Sequence, residues 1–256
     1  MTIEFKNTPI YYQATGQGPV MVLLHGFLES VTMWEPLLPL LSEKHRVINI
    51  DLPGHGKSGV IAETHSMELM AEAVLAVLDK LNISSATFLG HSMGGYVALA
   101  FAEAYGKRVE KLILLNSTPA EDSPERKENR NRAIEVITKN PRVFISMAIS
   151  NLFAESSHKK FATKIEQLKN EAFSFPIEGI LAAVRGMRDR KDRIEMLKFF
   201  PKKKYIISAK EDPIIPLDEV KSLSFNCKAK LKIISGGHMS VIENLPNVKK
   251  YVLFID

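Results

Sequence analysis

The sequence has a single cysteine, a single tryptophan and no long apolar run. Cys227 therefore cannot form a disulfide within the chain, and nothing in the cysteine usage indicates an oxidising compartment. No histidine or small-residue turn flanks it, so we expect it to pack passively rather than act as a nucleophile. The N-terminal residues lack the apolar core of a signal peptide, and no apolar run approaches the ~18 residues of a membrane helix. We therefore expect a soluble, cytoplasmic protein with no membrane partner.

Metal and phosphate sites are also missing from the sequence. The seven histidines are dispersed along the chain rather than clustered at ligand spacing. The glycine-rich turns lack the Lys-Ser/Thr pattern of a phosphate-binding P-loop. We expect no metal and no cofactor.

The positive charge is concentrated in one part of the chain. The 256 residues carry a net charge of +5, and residues 119–204 hold 19 Lys+Arg against 12 Asp+Glu. A basic patch is one mark of nucleic-acid binding. Here acidic residues are interspersed, as in residues 188–193, so we expect a solvated basic face and no nucleic-acid partner. A weaker interpretation is that the excess favours an acidic or coenzyme-A-linked substrate.

Apolar runs of strand length alternate with helical spacing over most of the chain. The runs at 20–24, 46–50, 86–89, 109–115, 204–209 and 230–234 predict strands, and residues 3–5 and 10–12 predict a short hairpin. Helices are predicted at 33–44, 97–102, 217–223 and 246–254, and a long helix capped by Ser66 is predicted to reach Leu81. This alternation is typical of the α/β class, with a mainly parallel central sheet flanked by helices on both faces.

Residues 119–194 break the alternation, because they show helical periodicity and no convincing strand. Helices are predicted at 126–139, 141–153, 159–173 and 177–188. We therefore expect a core domain made of residues 1–118 and 195–256, with residues 119–194 inserted as an all-helical unit.

The strand at 86–89 runs through a tight turn into the helix at 97–102. The five residues from Gly90 to Gly94 match the Gly-x-Ser-x-Gly nucleophile elbow, with Ser92 at its centre. A serine at so sharp a turn has a strained backbone, and only small residues fit two places before and after it. The turn sets the hydroxyl at the positive end of the following helix.

With this turn, four other segments resemble those of the α/β-hydrolase superfamily, in its serine-nucleophile, esterase- and lipase-like branch with a helical cap. They are Leu24–Phe27, Asp51–Ser58, Glu211–Pro213 and Gly236–His238. The resemblance covers nearly the whole chain and implies the α/β-hydrolase fold. It also implies that residues 119–194 form the cap that shapes the substrate pocket.

The family's order of catalytic residues is serine, acid, histidine. The resemblance accordingly implies Ser92 as nucleophile, Asp212 as the orienting acid and His238 as the general base. It also places the oxyanion hole at the backbone N–H groups of Phe27 and Met93. Other carboxylates near strand ends are expected to be structural or solvated: Asp51, Glu211 and Asp218.

The remaining histidines match no catalytic position of the family. We expect three within the family motifs to be structural and three to be ordinary surface residues: His25, His55 and His91, then His45, His65 and His158. Apolar residues of the insertion are candidates to line the pocket, although most are expected to pack in its core: Phe144, Met147, Ile149, Phe153, Phe173, Phe175, Leu181 and Met187.

The sequence thus predicts a serine hydrolase that cleaves a carboxylic ester, or a related acyl bond, of a small-molecule substrate. Three same-fold activities on an acidic small molecule stay open: a lyase, a thioesterase and a carbon–carbon hydrolase. A non-catalytic small-molecule receptor is a further alternative. Serine at position 92 disfavours the aspartate-nucleophile chemistry of dehalogenases and epoxide hydrolases. Monomer and homodimer are both compatible with the sequence.

Overall fold

The computed structural model describes residues 1–253. Its strands are β1 Thr2–Phe5, β2 Thr8–Thr15, β3 Val20–Leu24, β4 Arg46–Ile50, β5 Ala86–His91, β6 Val109–Leu115, β7 Lys203–Ala209 and β8 Lys230–Ile234. Its α-helices are α1 Leu38–Ser42, α2 Met67–Lys80, α3 Met93–Tyr105, α4 Pro124–Lys139, α5 Pro141–Ser150, α6 Ala162–Ala172, α7 Ile177–Arg188, α8 Ile194–Phe199, α9 Leu217–Asn226, α10 Ser240–Glu243 and α11 Leu245–Leu253. Short 3-10 turns lie at Val31–Trp34, Gly106–Arg108 and Glu155–Ser157.

The eight strands form one sheet in the order β1-β2-β4-β3-β5-β6-β7-β8. From β4 to β8 every neighbouring pair is parallel, whereas β1 and β2 are antiparallel additions at one edge. The structure confirms the predicted class, a mainly parallel sheet flanked by helices. The carboxyl ends of the central strands therefore meet at one edge, where β3, β5, β6 and β7 deliver their following loops.

Both faces of the sheet are covered by apolar cores. On β3, Val22 and Leu24 pack into one core, while Met21 and Leu23 pack into the other. Alternate residues of a strand point to opposite faces, so a strand buried on both sides is continuously apolar. This is why the apolar runs in the sequence predicted the strands.

Five helices, α4 to α8, lie between β6 and β7, and residues 116–202 contain no strand. We call residues 124–199 the helical insertion. The fourth of its helices, α7, spans the predicted residues 177–188, and α8 was not predicted.

The predicted helix at 33–44 is wrong in its extent. The structure has a 3-10 turn at Val31–Trp34 and the short α1, because Pro36 and Pro39 lack the N–H that a continuous helix needs. The predicted last helix reached Phe254, which lies outside the described residues. Among residues 1–253, no helix combines the length and the apolarity that crossing a bilayer requires.

Candidate active site

The turn between β5 and α3 holds Ser92 in a strained conformation. Its φ is 49° and its ψ is −116°, a region that residues other than glycine rarely adopt. A Cβ atom on Gly90 would collide with the backbone of Gly94, as the spacing of the motif predicts. A Cβ atom on Gly94 would instead collide with the carbonyl oxygen of Leu24 at the end of β3. The two glycines therefore permit both the turn and its close approach to the neighbouring strand.

Ser92, His238 and Asp212 lie in one hydrogen-bonded row. The Ser92 Oγ is 2.8 Å from the His238 Nε2. The His238 Nδ1 is 2.8 Å from Oδ2 and 3.0 Å from Oδ1 of Asp212. Since a carboxylate only accepts, Nδ1 carries a proton and Nε2 is free to accept one from the serine. The three side chains come from the loops after β5, β7 and β8.

Asp212 is held in its ionised form by several donors. Asn116 donates to its Oδ2 at 2.9 Å, and the N–H groups of Ile214 and Ile215 donate to its Oδ1 at 2.8 and 3.0 Å. Burial alone would raise the pKa of Asp212, but His238 and these donors hold it below its ordinary value. The carboxylate is therefore charged and fixed in orientation at neutral pH.

Asn116 was not singled out from the sequence. It directly follows β6, and its side-chain oxygen accepts a 2.5 Å hydrogen bond from the Ser240 hydroxyl. A polar residue at the carboxyl end of a central strand was the available indication.

The two residues expected to form an oxyanion hole, Phe27 and Met93, lie at the carboxyl ends of neighbouring strands. Met93 opens α3 directly after the serine, and Phe27 lies on the loop after β3. Within residues 1–253, neither N–H donates a hydrogen bond. His25 braces the Phe27 loop, since its Nε2 accepts from the Leu52 N–H at 2.9 Å and its Nδ1 donates to the Gly26 oxygen at 2.7 Å.

A second acid–histidine pair, formed by Glu29 and His91, contacts the backbone of His238, and the sequence did not predict it. Both ring nitrogens of His91 face acceptors: Nδ1 is 3.0 Å from the Glu29 Oε2, and Nε2 is 2.9 Å from the backbone oxygen of His238. The same Glu29 oxygen accepts from the Gly26 N–H at 2.6 Å. Both nitrogens of His91 therefore carry protons, and Glu29 and His91 form a buried ion pair.

The pKa directions agree with this assignment. Burial alone would lower the pKa of His91, but Glu29 raises it above its ordinary value. Burial alone would raise the pKa of Glu29, but the charge and hydrogen bond of His91 hold it below its ordinary value.

A cavity of about 480 Å³ opens onto Ser92 and His238. Its wall combines the loop after β3, the start of α3, helices α4, α5 and α7, and the Asp212 loop: Phe27, Leu28, Glu29, Ser92, Tyr96, Arg126, Asn129, Arg130, Ala133, Phe144, Ala148, Asn151, Leu152, Met187, Ile214 and His238. Of the apolar insertion residues predicted as candidates, Phe144 and Met187 line this cavity. Ile149, Phe153 and Phe175 are buried in the core instead, and Met147 is exposed.

The other histidines divide differently from the prediction in one case. His25, His55 and His91 are buried, His45 is half-buried and His158 is exposed. His65 was expected at the surface, and this is wrong. It is fully buried, with its Nδ1 3.1 Å from the Pro53 oxygen and its Nε2 accepting from the Ile61 N–H at 3.1 Å. Burial lowers the pKa of His65 to about 4 and that of His55 to about 3.

The remaining residues named from the sequence have structural surroundings. Asp51 accepts from the N–H groups of Val31 and Lys57, while Glu211 and Asp218 are exposed. Cys227 is buried, and burial raises the pKa of its thiol. Among residues 1–253, no cluster of three or more histidine, cysteine or carboxylate side chains could hold a metal ion.

The arrangement supplies the parts of nucleophilic acyl chemistry. It has a hydroxyl next to an imidazole nitrogen that can accept its proton, an anion that orients the imidazole, and two free N–H groups, one at the turn and one on the loop after β3.

Comparison with known proteins agrees with the architecture. Residues 19–245 match the family model described as alpha/beta hydrolase fold. A thermophilic esterase from Thermogutta terrifontis, solved with malate bound, is 30% identical, with a TM-score of 0.93 over 99% of this chain and 97% of that chain.

Two curated relatives match over shorter segments. The dihydrolipoyllysine-residue acetyltransferase component of the acetoin cleaving system from Pseudomonas putida is 40% identical over 108 residues, which is 42% of this chain and 29% of that protein. The pimeloyl-(acyl-carrier protein) methyl ester esterase from Photobacterium profundum is 42% identical over 113 residues, which is 44% of this chain and 42% of that protein. The matched segments thus span less than half of either relative.

Proposed function

The chain belongs to the alpha/beta hydrolase fold family, and on that premise we propose that it is a serine hydrolase that cleaves carboxylic esters through an acyl-enzyme on Ser92. The observation that carries this proposal is the row from Ser92 through His238 to Asp212, in which both hydrogen bonds are 2.8 Å. The names of two similar proteins, an esterase and a methyl ester esterase, support the ester as the bond cleaved.

In the proposed first half-reaction, the His238 Nε2 takes the proton of the Ser92 hydroxyl as its oxygen attacks the ester carbonyl carbon. The carbonyl oxygen becomes an oxyanion, which the N–H groups of Phe27 and Met93 stabilise. The intermediate collapses, and His238 passes its proton to the departing alcohol oxygen. The acyl group is then bound to Ser92.

In the second half-reaction, His238 removes a proton from water, and the resulting hydroxide attacks the acyl carbon. Collapse of this intermediate releases the carboxylic acid and returns the proton to the Ser92 oxygen. Asp212 holds the Nδ1–H tautomer of His238 and stabilises the imidazolium in both halves. The scheme needs no cofactor or metal, and its partner is a small-molecule ester.

The test is time-resolved hydrolysis of p-nitrophenyl esters from acetate to decanoate. We expect a burst of p-nitrophenol followed by steady turnover, and mass spectrometry of the quenched enzyme should find the acyl group on the Ser92 peptide. Ser92→Ala should lose about 10⁴- to 10⁶-fold in kcat. Ser84→Ala changes an exposed serine just before β5 and serves as the matched control.

Three outcomes would contradict the proposal. Full turnover by Ser92→Ala would remove the serine from the mechanism. A wild-type protein inactive on every ester, but active on a thioester or on an acidic ring substrate, would favour the thioesterase, carbon–carbon hydrolase or lyase alternatives. Ligand binding that raises the melting temperature without any product would favour a receptor.

A further inference from the structure

Helix α4 presents two arginines to the cavity. Arg126, Asn129, Arg130 and Ala133 all line it, and their spacing of three, four and seven residues places them on one helix face. Helix α5 contributes apolar side chains to the same cavity through Phe144 and Ala148, and Leu152, just past its end, adds a third. The cationic groups of the cavity wall are therefore gathered on a single helix.

The positive charge of this wall exceeds the negative charge beside it. The buried carboxylate of Asp122 is 3.1 Å from the Arg130 Nε, 2.7 Å from the Arg190 Nη1 and 3.9 Å from the Arg126 Nη1. One carboxylate thus faces three guanidinium groups. The acid that lines the cavity itself, Glu29, is already paired with His91.

The two arginines of α4 use their donors differently. Arg126 donates through Nη2 to the backbone oxygen of Ile214, so part of its guanidinium is committed to the Asp212 loop. Arg130 donates through Nε to Asp122, and its two Nη groups donate no hydrogen bond to any other residue in 1–253. Its side chain is 25% exposed and lines the cavity.

We propose that Arg130, with Arg126 beside it, forms a subsite for a carboxylate that the ester substrate carries away from its scissile bond. This inference rests on the proposed ester hydrolysis and names its substrate class, the monoester of a dicarboxylic acid or the ester of a carboxylated alcohol. The planar fork of an arginine matches a carboxylate with two parallel N–H donors. Asp122 holds the Nε side of Arg130, so the free Nη edge is oriented before substrate binds.

The test compares anionic esters with neutral isosteres. On the acyl side, the p-nitrophenyl monoester of adipic acid is compared with the same ester of adipamic acid. On the alcohol side, 4-carboxyphenyl hexanoate is compared with 4-carbamoylphenyl hexanoate, with release of acid followed in a pH-stat. The readout is the ratio of kcat/KM for the anionic and the neutral ester.

We expect wild-type protein to prefer the anion on one of the two sides, which identifies where the carboxylate lies. Arg130→Gln should lower that ratio about 10- to 100-fold, because a hydrogen bond between charged partners is lost. Arg132→Gln is the matched control. Arg132 lies on the same helix and pairs with Glu128, but its side chain is 70% exposed and outside the cavity wall. It should leave the ratio unchanged.

Binding measurements separate this inference from the proposed reaction. Monomethyl adipate is titrated calorimetrically into Ser92→Ala and into the Ser92→Ala/Arg130→Gln double variant, and we expect at least tenfold weaker binding to the double variant. Binding that depends on Arg130 in a protein that hydrolyses no ester would uphold the subsite and overturn the ester reaction. Ester hydrolysis with a ratio that Arg130→Gln leaves unchanged, or no preference for either anion, would overturn the subsite.

Discussion

Replacing Glu29 by glutamine is the sharpest test of the buried ion pair beneath the candidate active site. One oxygen, Oε2, accepts from both the Gly26 N–H and the His91 Nδ1–H. Glutamine has one oxygen and one nitrogen, and only one of them can occupy that point. With oxygen there, the imidazolium of His91 loses its counter-ion. With nitrogen there, the Gly26 N–H is left buried and without an acceptor.

The expected cost follows from burial. The side chains of His91 and Glu29 are 0% and 3% exposed, and removing one partner of a buried pair costs about 3–5 kcal/mol. The matched control is Glu72→Gln, which makes the same change in an exposed ion pair. The Glu72 Oε2 is 2.7 Å from the Lys6 Nζ, and the two side chains are 43% and 51% exposed. Exposed pairs contribute about 0–1 kcal/mol. The two variants should therefore differ by about 2 kcal/mol or more.

Urea unfolding measures this difference. The single tryptophan, Trp34, is fully buried, so its fluorescence follows the transition, and far-UV circular dichroism provides a second probe. A cycle with His91→Gln should return a coupling free energy of about 0.5–3 kcal/mol. Equal urea midpoints for Glu29→Gln and Glu72→Gln would refute the charged pair.

Two further predictions concern stability. Gly94→Ala should lower the free energy of unfolding in urea by about 1–3 kcal/mol, because its methyl group would overlap the Leu24 carbonyl oxygen. The control is Gly106→Ala, where the new methyl group meets no atom within 4 Å. Equal effects of the two substitutions would contradict the steric argument. The unfolding free energy should also fall as pH drops below about 6.5. In the unfolded chain His55 and His65 bind protons near that pH, whereas in the folded protein their pKa values are lowered to about 3 and about 4. Each lowered pKa contributes a slope of about 1.4 kcal/mol per pH unit. His65→Gln should remove one such slope between pH 6 and 5, and a pH-independent wild-type free energy over that range would refute the assignment.

The strands of the sheet were predictable because burial on two faces demands an uninterrupted apolar run. That constraint is local, so β3 and β6 were evident without any knowledge of their neighbours. Helix limits were harder to predict, because they depend on where a hydrogen-bonding pattern is interrupted. Apolar spacing continues from Met33 to Leu41, yet Pro36 and Pro39 divide the segment into a 3-10 turn and the short helix α1.

Among the candidate site residues, those set by local backbone geometry were the easiest to name. The close approach of Gly90 and Gly94 is a property of five consecutive residues, so the sequence alone indicates the strained serine between them. The Glu29–His91 pair joins residues 62 positions apart, and its partnership exists only once β3 and β5 lie side by side. The burial of His65 was predicted wrongly for the same reason. Its ring forms hydrogen bonds with the Pro53 oxygen and the Ile61 N–H, and these groups come next to it only when the loop has folded.

Contacts from the helical insertion reach the candidate catalytic residues through the backbone. The Leu152 oxygen, just past α5, accepts from the His238 N–H at 2.9 Å, and Arg126 of α4 donates to the Ile214 oxygen. The Ile214 N–H in turn donates to the Oδ1 of Asp212. The insertion thus fixes the loops of both the proposed base and the proposed acid, besides walling the cavity. Substitutions at these contacts should therefore lower kcat as well as alter KM. Changes at lining positions such as Ala133 alter only the volume available to the substrate, so they should not lower kcat in this way.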